Sequence, residues 1–391
     1  MHGGLDRISN LPDALLHHVM SSLPTLDAVH TSVLSSRWRH TWTGAPCLIL
    51  DLDQFGGRRE QFSSFVSRVL RLRGVAPLDL FRLRSSGIEE AKFWIRCAIR
   101  NNLKVLEFSE DMECEPLRLE RDIVDFTSRH LKSLLLGNVC LDGSVFYPIN
   151  SACPALQRLE LRDSSLEVPE ISSASLLHLD ITNCCLFENL LISAPSLESL
   201  SIKDPRYKAA MVKKLPSLVV AVVTFDEFLH CSDPVEEDEE EDWDDVTYSL
   251  LDGLSNARSM ELIAAEREVA FDWEIPECPM FNNLTSLTLG EWCTPDEFSP
   301  LLYLLSRSPL LENLTLKLNK EVCRVCSGEE PTAFPGAGAF TADHLKKVTI
   351  YFQLHDERVG VLLKLLAPIG KSIEDIELIP SHFPSLVRRW L

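Results

Sequence analysis

The chain lacks any run of eighteen apolar residues, about the length a helix needs to cross a bilayer. Its opening stretch, Met1 to Asn10, has neither the basic patch nor the apolar core of a secretory signal. The expectation is a protein of the cytoplasm, the nucleus or both, with no membrane partner. Also missing are a glycine-rich phosphate loop, the paired histidines of a zinc hydrolase and a nucleophile elbow. A non-enzyme without cofactors follows as the working expectation.

Cysteine is not scarce: there are 12. Without a secretory signal they are expected to stay reduced and to behave as small core hydrophobes. Cys323 and Cys326 have the one metal-like spacing, but no second pair or suitably spaced histidines lie nearby. No metal is expected.

Charge is unevenly distributed. Residues 1–100 hold 13 Lys+Arg against 9 Asp+Glu, whereas residues 101–391 hold 25 against 49. So acidic a body disfavours nucleic acid as a partner. The mildly basic front end, with Arg58, Arg59, Arg68, Arg71, Arg73, Arg82 and Arg84, reads as a solvated helix face. Ten of the thirteen residues in 233–245 are acidic, which predicts a self-repelling loop. The Pro, Gly and Ala-rich stretch 329–341 reads as a second loop.

Residues 9–42 contain three short apolar-periodic segments. Asn10 is placed to cap the first and Pro12 suits its opening turn, leaving Leu11, Leu15, Leu16, Val19 and Leu23 on one face. Pro24 stops that helix, and Thr25 is placed to cap the second, which carries Ala28, Val29, Val33 and Leu34. The third holds Trp38 and Trp42, four apart.

These residues carry a resemblance. Ile8 to Met20, Leu23 to Val29 and Val33 to Trp42 resemble the F-box of plant F-box proteins, with Leu11-Pro12, Leu34-Ser35, Arg37-Trp38-Arg39 and Trp42 as its most specific elements. Val19-Met20 stands where that family often has isoleucine-leucine, and Leu26 where lysine is common. The resemblance implies three helices that pack on a Skp-type adaptor and, through it, on a cullin. Carried over, the adaptor interface and local core are Leu11, Pro12, Leu15, Leu16, Val19, Leu23, Val29, Val33 and Leu34.

Cys47 to Leu52 reads as a strand, and Phe62 to Arg73 has helical spacing. A unit Leu-x-x-Leu-x-Leu then recurs from Leu103, Leu131, Leu156, Leu176, Leu197, Leu284, Leu311 and Leu345, with weaker copies at Leu218 and Ala257. Starts from Leu103 to Leu197 lie 28, 25, 20 and 21 residues apart, the period of leucine-rich repeats. Each unit predicts one strand with alternate leucines turned inward, returning through a helical or irregular arch and burying its apolar face only by stacking. The fold class is therefore α/β: a three-helix F-box, then a leucine-rich-repeat solenoid with a curved parallel sheet.

Alternation also predicts which side chains stay free on the concave face: Arg158, Glu160, Arg162, His178, Asp180, Thr182, Ser199, Ser201, Lys203, Asn313, Thr315 and Lys317. The final segment resembles the FBD-type tail of many plant F-box proteins, on Leu345 to Ile350, Glu357 to Ala367 and Ile373 to Leu378. Physically this is a strand, a helix and a strand that close the sheet; the Arg388-Arg389-Trp390 ending has no evident role. The expected division is F-box 1–45, solenoid 46–340 with the acidic loop 233–245, and FBD-like capping repeat 341–391.

The resemblance implies a substrate-recognition adaptor of an SCF-type E3 ubiquitin ligase, a non-catalytic subunit whose repeats hold a target protein. The alternative is a repeat-based scaffold not coupled to ubiquitination.

Overall fold

In the computed structural model the described residues are 11–208, 210–225, 250–264, 279–290, 299–318, 341–353, 356, 358–369 and 373–380. The acidic loop 233–245, Cys323 and Cys326, Asn10, most of 329–341 and the ending 388–390 lie outside them. The chain falls into two compact units, Met1–Glu188 and Asn189–Leu391.

The first unit opens with α1 (Asp13–Ser21), α2 (Thr25–His30) and α3 (Trp38–Thr41). Then come β1 (Cys47–Asp51), α4 (Arg59–Arg73), β2 (Leu80–Ser85), α5 (Ala91–Arg100), β3 (Val105–Glu110), β4 (Leu117–Arg118), β5 (Ser133–Gly137) and β6 (Val139–Asp142). The unit continues with α6 (Gly143–Ala152), β7 (Arg158–Arg162), β8 (Ser165–Glu167), β9 (Glu170–Ser172), β10 (His178–Thr182) and β11 (Cys185–Leu186). Strands β1, β2, β3, β5, β7 and β10 pair in that order, all parallel. Each brings its inward leucines level with its neighbour's, as Leu83, Phe108, Leu136, Leu161 and Ile181 show. All five are fully buried. Sequence reading passed over β2, and Arg82 and Arg84 are corrected accordingly. They are the outward residues of a strand whose inward pair is Phe81 and Leu83, not part of a helix face.

The second unit contains β12 (Leu190–Ser193), β13 (Ser199–Lys203), β14 (Arg206–Tyr207), β15 (Ala210–Val212), β16 (Val220–Phe225), β17 (Ser259–Ala264) and β18 (Ser286–Gly290). It continues with α7 (Ser299–Ser306), β19 (Asn313–Lys317), β20 (Lys347–Phe352), α8 (Arg358–Ile369) and β21 (Asp375–Pro380). Here β13, β16, β17, β18, β19, β20 and β21 pair in order, again all parallel. Every recurrence of the leucine unit, the weak copies at Leu218 and Ala257 included, is followed by a strand. The C-terminal strand, helix and strand are β20, α8 and β21.

Helices α4, α5 and α6 form arches as expected, and three other arches add short strands. Repeats beginning at β7, β10 and β13 return through short strands, β8 with β9, β11 with β12, and β14 with β15. A spacing of 20 or 21 residues leaves too little chain for a helix, whereas the 25-residue spacing from Leu131 to Leu156 accommodates α6.

A turn that the leucine pattern does not announce leads each of these strands into its arch. Asn138, Asp163, Asn183 and Asp204 directly follow β5, β7, β10 and β13 and have φ of 52°, 51°, 54° and 47°. Short Asn and Asp side chains tolerate this left-handed conformation best among non-glycine residues. Asn138 shows the added benefit: its buried Nδ2 donates to the carbonyls of Asp111 at 2.7 Å and Cys114 at 3.2 Å.

None of the seven described cysteines is in a disulfide. The expectation that they are core hydrophobes holds for Cys153 and Cys184, which are buried, and fails for Cys97, which is exposed. Cys97 lies on the outer side of an amphipathic helix whose core face is Trp94, Ile95, Ala98 and Ile99. Burial pushes the Cys184 thiol up to about 12. No helix of the described residues is long and apolar enough to cross a membrane.

Candidate functional site

Two surfaces gather the residues singled out in the sequence. The first is the N-terminal helical module, which folds onto the open edge of β1. An edge strand presents unpaired backbone groups, and covering them is one way a sheet avoids self-association. The Thr25 hydroxyl lies buried at this edge and accepts the Ile49 N–H at 2.8 Å. Thr25 is therefore a tether to the sheet, whereas the sequence suggested a helix cap; the cap position falls to Pro24. Arg73, at the end of α4, donates from a buried guanidinium to the carbonyls of Ala45 and Pro77, and burial holds its pKa down to about 10. Asp13 and Arg37 bridge the starts of α1 and α3 at 2.7 Å, and the guanidinium holds the Asp13 carboxyl below its ordinary value.

Within the module the apolar residues divide by direction. On α1, Leu16 and Met20 are buried, with Trp38, Trp42 and Ala28 also in the core. Leu15 and Val19 precede that buried pair by one position, about 100° round the helix, and are exposed. Val33 and Leu34 stand out further, at 86% and 66% exposure. Pro12 is exposed, and Leu11, Leu23 and Val29 are half-buried. Of the nine residues expected at the adaptor interface and local core, Leu16 alone is fully buried. The others leave apolar side chains on α1 and after α2 that this unit's own fold does not fully cover.

The second surface is the outward side of the strands. In the first unit Arg158 stands opposite His178, Glu160 opposite Asp180, and Arg162 opposite Thr182. Arg162 pairs with Glu160, which is nearly buried, and the Thr182 hydroxyl donates to Asp180 at 2.7 Å. The same rows extend to β1, β2 and β3: Arg82 pairs with Glu107 at 2.5 Å, and Arg84 lies 3.7 Å from Asp51. Among the described residues no carboxylate pairs with Arg158 or His178. In the second unit, Asn313 and Lys317 bracket β19, and Lys317 reaches across β18 to Glu261 at 2.8 Å. Lys203 ends β13, with Ser199 and Ser201 on the same side. Lys347 binds Glu377 at 2.9 Å, and that carboxylate raises the pKa of the lysine. The outward side of each unit's strands thus carries ion pairs and hydroxyls, suited to polar recognition.

Comparison with known proteins agrees with this geometry. Residues 8–50 match the F-box domain family model. An FBD-associated F-box protein of Arabidopsis thaliana is 28% identical over 380 residues, 88% of this chain and 83% of the relative. Two F-box/FBD/LRR-repeat proteins of the same plant are each 28% identical, over 80% of this chain and 77% of the relative and over 82% and 78%. An F-box domain implies, in general, binding of a Skp-type adaptor. Residues 8–50 are an F-box domain, and the chain over most of its length is similar to the F-box/FBD/LRR-repeat proteins of Arabidopsis thaliana.

Proposed function

We propose that the protein is a substrate-recognition adaptor of an SCF-type ubiquitin ligase. The observation that carries this reading is an F-box whose apolar residues point two ways, Leu16 and Met20 into the core and Leu15, Val19, Val33 and Leu34 into solvent. The exposed set, with Leu11, Pro12, Leu23 and Val29, is the dock for a Skp-type adaptor and through it a cullin. The outward strand residues, Arg158, Glu160, Arg162, His178 and Asp180 in the first unit and Lys203, Asn313 and Lys317 in the second, hold the target protein. Residues 1–45, 46–340 and 341–391 divide these tasks as dock, solenoid and capping repeat.

Such a subunit performs no bond chemistry. It raises the concentration of its target beside the ubiquitin-charged enzyme, so the rate gain is one of proximity. The test is reconstitution with a Skp-type adaptor and a cullin, followed by proteomic comparison of proteins held by the intact chain and by an Arg158→Glu/His178→Glu variant. The reading predicts that adaptor and cullin co-purify with both chains and that the variant alone loses its targets. Failure of the intact chain to co-purify with the adaptor overturns it.

A further inference from the structure

Helices α4 and α5 carry seven basic residues, Arg59, Arg68, Arg71, Arg73, Lys92, Arg96 and Arg100, and a single carboxylate, Glu60. Three of the cations have partners within the unit. Arg59 donates to Ser86, Arg73 is buried against two carbonyls, and Lys92 pairs with Glu89 at 2.6 Å. Among the described residues Arg68, Arg71 and Arg100 form no salt bridge, while Arg96 lies close enough to Asp125 to help hold that carboxyl below its ordinary value.

The two helices run side by side in the same direction. The Trp94 indole N–H donates to Ser67 Oγ at 3.2 Å, and about two turns further on Asn101 Nδ2 reaches the Gly74 carbonyl at 3.4 Å. Helical spacing puts residues three and four apart on one face. On α4 that gives Arg68, Arg71 and Leu72, with Val75 just past the helix end at Gly74; on α5 it gives Phe93, Arg96, Cys97 and Arg100. Every one of these is exposed except Arg96, which is half-buried; Val75 is 90% exposed.

Cationic and large apolar side chains are thus interleaved on the exposed sides of two adjacent helices, in a chain whose net charge is −20. We propose that this face docks an acidic protein segment bearing apolar anchors, its carboxylates meeting Arg68, Arg71 and Arg100 and its apolar side chains covering Leu72, Val75 and Phe93. Charge complementarity selects the acidic partner. The interleaved apolar groups select a peptide over a simple polyanion, which has nothing to place on them. None of these residues belongs to the set proposed for the adaptor dock or for target binding.

The test is fluorescence anisotropy of the full chain with a labelled peptide of glutamates with leucines at helical spacing. Three chains are compared: the unaltered one, Arg68→Glu/Arg71→Glu/Arg100→Glu, and Leu72→Ser/Phe93→Ser, each checked for fold by circular dichroism. Expected are binding by the unaltered chain and weakening of about tenfold or more in both variants. Loss of binding is also expected as salt rises from about 0.1 M to about 1 M, which shortens the screening length from ~10 to ~3 Å. No binding, or binding that survives charge reversal, overturns the proposal. Equal affinity for a glutamate-serine peptide or for phosphatidylserine vesicles, with the Leu72→Ser/Phe93→Ser chain unaffected, also overturns it and assigns the face to polyanions or a membrane.

Discussion

The Thr25 hydroxyl accepts the backbone N–H of Ile49 at 2.8 Å, fastening the second F-box helix to the first strand of the sheet. Without it the Ile49 N–H has no partner at a buried edge. Thr25→Val keeps the shape and removes the acceptor, so it is expected to destabilise the chain by about 1–3 kcal/mol. Thr25→Ser should cost less, since it retains the oxygen. Urea unfolding of the two variants measures the difference.

Leu16 and Leu34 belong to the same helical module and should respond oppositely. Leu16→Ala leaves a cavity in the F-box core and is expected to cost about 2–5 kcal/mol. Leu34→Ala, at an exposed position, should change stability by no more than about 0.5 kcal/mol. Thermal unfolding of both variants checks the assignment.

Asn138 combines a left-handed backbone with two side-chain hydrogen bonds to buried carbonyls. Asn138→Asp suits the backbone but turns a carboxylate toward both acceptors, and a loss of roughly 1–3 kcal/mol is expected. Asn138→Gly relieves the backbone and forfeits only the hydrogen bonds. Chemical denaturation should rank the Gly variant above the Asp variant.

The buried thiol of Cys184 gives a pH dependence of known sign. Its native pKa is raised from 9 to about 12, so the native state keeps a proton that the unfolded chain releases. That contribution is fully present below pH 9 and falls away as pH rises from about 9 toward 12. Cys184→Ala should flatten the alkaline decline in stability over this window. Thiol titration of the folded chain at neutral pH should label Cys97 readily and Cys184 only on unfolding.

Much of this architecture was legible because its physics is periodic. The leucines at 134 and 136, 159 and 161, and 287 and 289 alternate as strands require, and the F-box announces itself through Leu11-Pro12 and Arg37-Trp38. What escaped depends on partners distant in sequence or on single residues. Strand β2 hides because the stretch that leads into it reads Leu78-x-x-Phe81-x-Leu83, with phenylalanine where the repeat has leucine. The Asx turns at 138, 163, 183 and 204 recur with the repeat, and their spacing of 25, 20 and 21 residues was the available signal. Burial of Leu16 beside exposed Leu15 depends on how α1 meets β1, which helical periodicity cannot tell from one position's rotation. The pairing of Arg82 with Glu107 and of Lys317 with Glu261 follows from register between strands, not from the order of residues.

The proposed adaptor dock rests on the outward apolar side chains of the F-box. Calorimetric titration of a purified Skp-type adaptor into the intact chain and into a Val33→Asp/Leu34→Asp variant tests it. The intact chain is expected to bind, and the variant, with an unchanged unfolding midpoint, to bind about 100-fold more weakly or not at all. Equal affinity for both chains contradicts it.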